Sequence, residues 1–155
     1  MPRPRQRILA LLAVACLAWP GERAAAATPE AQVKAAYLYK LASFVRWPAE
    51  SMRRERFRMC VAGRDDVADV LTELTRGQRV EDLAIEIRSL QSGQHQLARE
   101  CHILFVGRGP ATARDMLAAT DGSPVLTVAD RDAGTRGGVI DFLLRDGRVR
   151  LAVAR

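Results

Sequence analysis

The feature that most constrains the fold is a series of short apolar runs separated by segments with helical signals. Phe57–Gly63 (FRMCVAG), His102–Val106 (HILFV) and Pro124–Val128 (PVLTV) are nearly continuous in apolar character, as expected of strands buried on both faces. Leu83–Leu90 (LAIEIRSL) alternates apolar and polar residues and reads as a half-exposed strand. Between these runs lie predicted helices over about Val67–Arg76, Ser92–Glu100 and Gly109–Ala119. Asp65 or Asp66 is the expected cap of the first of these, and Gly77 its stop. Val139–Leu144 and Arg148–Val153 flank Asp146-Gly147, a favoured two-residue hairpin turn. The pattern predicts one α/β domain: a layered sheet flanked by helices, with a C-terminal antiparallel hairpin. Asp130 to Gly137 is a predicted polar loop, in which Asp130 and Asp132 shape a turn, the alternative being an acidic catalytic group with Asp141, and Gly137-Gly138 permits a tight bend or close backbone approach.

The first predicted helix begins at Thr28-Pro29-Glu30, with threonine as N-cap, proline at N1 and an acid in the first turn. It ends before Trp47-Pro48. Val33, Tyr37, Leu41 and Phe44 make one apolar face, which Leu38, Ala42 and Val45 broaden. This segment holds both tyrosines of the chain, Tyr37 and Tyr39, together with Phe44 and Trp47. Such aromatics serve either as core or as anchors of a partner or dimer interface, and both uses hold if different faces are engaged.

Ahead of this domain, Arg3, Arg5 and Arg7 precede an uncharged apolar run, Ile8 to Trp19, and Ala24 to Ala27 offer the small residues of a cleavage site. The order is that of a secretory signal peptide, residues 1–27, with a mature start at Thr28. The run is shorter than the roughly 20 residues that span a bilayer, so stable membrane insertion is not expected. Lipid attachment at Cys16, the rival reading, places Ala13 where a bulky aliphatic residue is usual. Half of the formal charge of +6 belongs to residues 1–27, and the remaining excess is too small and scattered for nucleic-acid binding.

Residues 28–155 retain two cysteines, Cys60 and Cys101. In an oxidising compartment they are expected to form one disulfide, the alternative being two buried thiols. Catalytic patterns are weak. The only histidines are His95 and His102, and His102 points to the opposite strand face from Cys101. No P-loop, G-x-G-x-x-G, G-x-S-x-G, H-E-x-x-H or C-x-x-C occurs, so neither cofactor nor metal is expected. Gly107-Arg108-Gly109-Pro110 reads as an ordinary strand–helix turn rather than an anion site.

Several blocks carry a resemblance. Val33–Lys40 (VKAAYLYK) with Phe44 and Trp47-Pro48, the Phe57–Gly63 strand with its cysteine, Cys101–Phe105 (CHILF), Pro124–Asp130 and Gly137–Phe142 occur in the order found in the YfiR-like family, which this sequence resembles over nearly all of residues 28–155. The resemblance implies a periplasmic, non-catalytic repressor that binds the periplasmic portion of an inner-membrane diguanylate cyclase and lowers cyclic di-GMP and biofilm formation. It also implies a homodimer and a response to redox state. Two departures stand out: the family's second cysteine pair is missing, and the sequence stops at Arg155 where relatives continue into another helix, so a shortened C-terminus is expected. The alternative function is a small-ligand-binding periplasmic sensor, which a cavity of about 300 Å³ or more lined by aromatics would favour. A hydrolase or thiol enzyme is the third reading, requiring a base converging on a nucleophile.

Overall fold

A computed structural model describes residues 26–154. The arginines, apolar run and Cys16 of the expected signal peptide, and Arg155, lie outside the described residues. The elements, in order, are α1 (Pro29–Phe44), β1 (Arg56–Ala62), α2 (Asp65–Leu74), β2 (Arg79–Val80), β3 (Leu83–Leu90), β4 (Ile103–Val106), α3 (Pro110–Ala119), β5 (Leu126–Asp130), β6 (Ile140–Arg145) and β7 (Arg148–Val153). Short 3-10 helices cover Ser51–Arg53 and His95–Glu100. The strands form one sheet in the order β2-β3-β1-β4-β5-β6-β7. β3, β1, β4, β5 and β6 are parallel, while β2 and β7 close the two edges antiparallel. The layered α/β architecture and its C-terminal hairpin are therefore as the apolar pattern predicts.

Each face of the sheet has its own core. α1 and α2 cover one face, where Leu38, Phe57, Leu71, Phe105 and Phe142 are fully buried. α3 and the His95–Glu100 turn cover the other, over Cys60, Leu104, Val106 and Met116. Two-sided burial explains the unbroken apolar run of β4, all four of whose residues are buried.

α1 starts as its sequence dictates: the Thr28 hydroxyl accepts the Ala31 amide at 3.1 Å, and proline occupies the first turn. Its buried face differs from the predicted one. Ala31, Lys34, Ala35, Leu38 and Ala42 are buried, whereas Val33 and Phe44 are exposed. The alanines let the helix lie close against α2, while Tyr37, Tyr39 and Leu41 pack half-buried at the margin of the core. α2 also departs from expectation. Arg64, not an aspartate, is its N-cap, because the Asp66 carboxylate is held by the Arg64 guanidinium instead. The close approach expected at Gly137-Gly138 is found at Gly138: a side chain there would press within 2.7 Å of the Ala129 amide on β5.

Candidate functional site

Among the parallel strands, the sheet order places the second in sequence, β3, on one side of β1 and the third, β4, on the other. The connections leaving the C-terminal ends of β1 and β4 therefore diverge, opening the crevice at which open α/β sheets commonly bind ligands. Arg64 follows β1 by one glycine, Arg108 follows β4, and Asp130 ends β5. Gly63 has φ +73°, and any side chain on it would collide with the Arg108 carbonyl, so the two loops meet only because Gly63 has none.

A buried ion cluster fills the floor of this crevice. Lys34 on α1 is fully buried, and its Nζ donates to both oxygens of the equally buried Asp130 at 2.8 and 2.9 Å, and to Glu30 Oε1 at 2.5 Å. Arg64, 7% exposed, donates to Asp130 Oδ2 at 2.5 Å and to Glu30 Oε1 at 3.3 Å. Its other nitrogens make a bidentate pair with Asp66, both contacts at 2.9 Å. Asp132 reaches Lys34 at 4.0 Å. The Lys34 hydrogen bond holds the Glu30 carboxyl below its ordinary range, and the Arg64 pair does the same for Asp66. Hydrogen bonding to Asp66 in turn raises the Arg64 pKa. A cavity of about 210 Å³ lies over the cluster, lined by Thr28, Glu30, Arg64, Asp66, Arg108 and Asp132. Neither Lys34 nor Arg64 belongs to a recognisable functional motif in the sequence. The turn expected at Asp130 is made by its carbonyl, which accepts the amides of Ala133 and Thr135, while its side chain anchors the cluster rather than joining Asp141 in an acidic group.

Of the four aromatics, Tyr37 packs on Phe142 with ring centroids 6.1 Å apart. Trp47 meets Phe57 edge-on at 5.1 Å and donates its indole N–H to the Ala42 carbonyl at 3.0 Å. Tyr39 is half-buried and its hydroxyl donates to Gln78 Oε1 at 3.2 Å. Phe44 is 80% exposed. The structure brings Tyr37, Tyr39 and Trp47 against the core and leaves Phe44, at the end of α1, exposed.

Cys60 on β1 and Cys101, just ahead of β4, are joined by a disulfide with Cα atoms 5.9 Å apart. Both are buried in the core beneath α3. His102 lies on the opposite face of the sheet, stacked on Phe57 at 4.4 Å. Its Nδ1 accepts the Arg58 amide at 3.0 Å, so Nε2 carries the proton and donates to the Ser51 carbonyl at 2.9 Å. His102 thus ties the Ser51–Arg53 turn to β1. Burial first, and then the nearby Arg54 and Arg58, lower its pKa from the ordinary 6.5.

A pH dependence follows. With a lowered folded pKa, the unfolded chain takes up the His102 proton first as pH falls, so this contribution to stability is complete above about pH 6.5 and declines below it. Glu30 and Asp66 act lower, their contributions fading as pH drops below 4.5 and 3.8 respectively. Melting curves across the acid range are expected to show a first decline starting near pH 6.5 that His102→Gln removes, and a second that it leaves in place.

Asp141 stands apart from the ion cluster, on β6 and 3.9 Å from Arg131. Among the described residues, no helix is long and apolar enough to cross a membrane. No curated protein gives a significant match to the chain. The YfiR/HmsC-like family model matches residues 31–155, from the first turn of α1 through β7. The match takes in Lys34, Arg64 and Asp130 of the crevice, the disulfide and the α1 aromatics, and the chain belongs to the YfiR/HmsC-like family, a regulatory family of the periplasm rather than a family of enzymes.

Proposed function

We propose that this chain is a periplasmic signalling repressor that binds the periplasmic portion of an inner-membrane diguanylate cyclase, and so lowers cyclic di-GMP and biofilm formation. The family match over residues 31–155 is the observation that carries this reading. The Cys60–Cys101 disulfide is consistent with export, since such bonds persist in oxidising compartments. Contact through α1 fits the exposure of Phe44, and the same surface serves a homodimer. Deleting the gene is expected to raise cyclic di-GMP, and the chain used as bait on solubilised membranes is expected to capture a protein with a cyclase domain. Unchanged cyclic di-GMP, with no cyclase captured, would sink the reading. Phe44→Ala is the sharper probe of the surface. It is expected to weaken association about tenfold or more, as loss of an aromatic anchor does, with a melting temperature unchanged. Tyr39→Ala tests the same surface, although its hydroxyl also holds Gln78.

Two cavities exceed the size the small-ligand reading asks for, one of them a groove of about 560 Å³ with a single aromatic, Tyr37, in its lining. The other, an open cleft of about 700 Å³, lies beside α3, bordered by Leu117, Val125, Thr127, Thr135, Arg136 and Val139. It exceeds the expected size, but its lining contains no aromatic residue.

A further inference from the structure

Among the described residues, β7 has no neighbouring strand on its outer side. The β6–β7 hairpin turns through Asp146 and Gly147, both at positive φ, and its register runs without a bulge from Arg145–Arg148 to Ile140–Val153. The Ala154 amide bonds the Val139 carbonyl. Antiparallel pairing alternates, so Arg148, Arg150 and Ala152 turn their backbone groups toward β6. The N–H and C=O groups of Val149, Leu151 and Val153 therefore point to the open side of the edge. No proline or bulge blunts β7, two devices by which edges are commonly protected.

The side chains of this edge divide by chemistry. Val149 belongs to the α1-side core, and its face continues through Leu151 and Val153, which are 37% and 66% exposed. A groove of about 560 Å³ adjoins that face, lined in part by Val33, Tyr37, Leu144 and Val149. The other face carries Arg145, Arg148 and Arg150. All three are exposed, and among the described residues none has a carboxylate within ion-pair distance. Arg145 and Arg148 stand directly opposite one another in the register, an arrangement that costs stability unless an anion joins them. The one acid of that face, Asp141, is 18% exposed and lies 3.9 Å from Arg131.

We infer that β7 binds an extended segment of alternating apolar and acidic residues, supplied by the membrane partner and added as an eighth strand. Its backbone would pair with Val149, Leu151 and Val153. Its apolar side chains would continue the Val149–Leu151–Val153 stripe, and its carboxylates would lie against Arg148 and Arg150. A second copy of β7 fits less well, because antiparallel pairing about Leu151 would gather four arginines on a face without a free acid. The identity of the partner rests on the repressor reading; the chemistry of the edge does not.

The test uses fluorescent peptides of about six residues, one alternating glutamate and valine, one alternating lysine and valine. The acidic peptide is expected to bind the wild-type chain about tenfold more tightly or better, and Arg148→Glu with Arg150→Glu should reverse the preference. Leu151→Pro removes only an outward amide, so the fold should survive, as circular dichroism can verify, while both peptide binding and capture of the membrane partner are lost. Equal binding of the two peptides, or undiminished binding to the proline variant, overturns the inference. So does a self-association that Leu151→Pro abolishes. Failure of the peptides with capture of a cyclase intact refutes the edge alone. Peptide binding with no cyclase captured by the wild-type chain refutes the repressor reading and leaves the edge standing.

Discussion

Replacing Cys60 or Cys101 by serine is expected to lower the melting temperature by roughly 15 °C. The bond joins residues 41 apart in sequence, and a loop of that length restricts the unfolded chain by about 4 kcal/mol. Domains are typically stable by only about 5–15 kcal/mol, so the loss is a large part of the whole. The sulfurs lie in the core beneath α3, which makes native-state reduction slow: a reductant reaches them only when that layer opens. Thiol labelling of denatured, unreduced protein checks the bond itself. Two reactive thiols per chain would exclude both the stabilisation and any redox response built on this pair.

The second large effect is expected at the ion cluster. Asp130→Ala would leave Lys34, fully buried, with Glu30 as its remaining close partner, and would take one carboxylate from Arg64. Stripping one member from a buried pair costs about 3–5 kcal/mol, chiefly because the other charge remains out of water. Lys34→Met combined with Asp130→Leu is expected to cost clearly less than the two single changes together, with a coupling of about 1–3 kcal/mol, since Arg64 keeps its bidentate bond to Asp66. Urea unfolding of the four proteins in the cycle measures this. Strict additivity would show that Lys34 and Asp130 do not act as a pair.

These two sites were legible to different degrees. Cys60 and Cys101 each sit in or beside an apolar run, and neighbouring strands follow from the α/β pattern, so their pairing could be foreseen. The ion cluster could not be read the same way. Lys34 occurs within VKAAYLYK, where helical periodicity favours the larger Val33–Tyr37–Leu41 stripe over the alanines that are buried. Asp130 closes a strand and opens a loop, a place where aspartate usually serves its own backbone. One signal is present: a lysine flanked by Ala31, Ala35 and Leu38, and an aspartate ending a mostly apolar strand, are opposite charges at positions patterned for burial. The edge strand β2 escaped notice because two residues, Arg79 and Val80, carry no periodicity. His102 was placed on the correct face by strand alternation, but its bonds to Arg58 and the Ser51 carbonyl depend on a turn that the sequence presents only as a polar basic stretch.

Lys34 and Asp130 are 96 residues apart, and their contact fixes the first helix to nearly the last parallel strand. A chain that emerges with its N-terminus first delivers α1 early and the anchor of α1 much later. Until β5 has followed, Lys34 has no Asp130 to meet, and burying it on the sheet would leave its charge short of its closest partner. The buried pair thus ties the closing of the N-terminal helix to the arrival of the fourth parallel strand, with only the β6–β7 hairpin still to add.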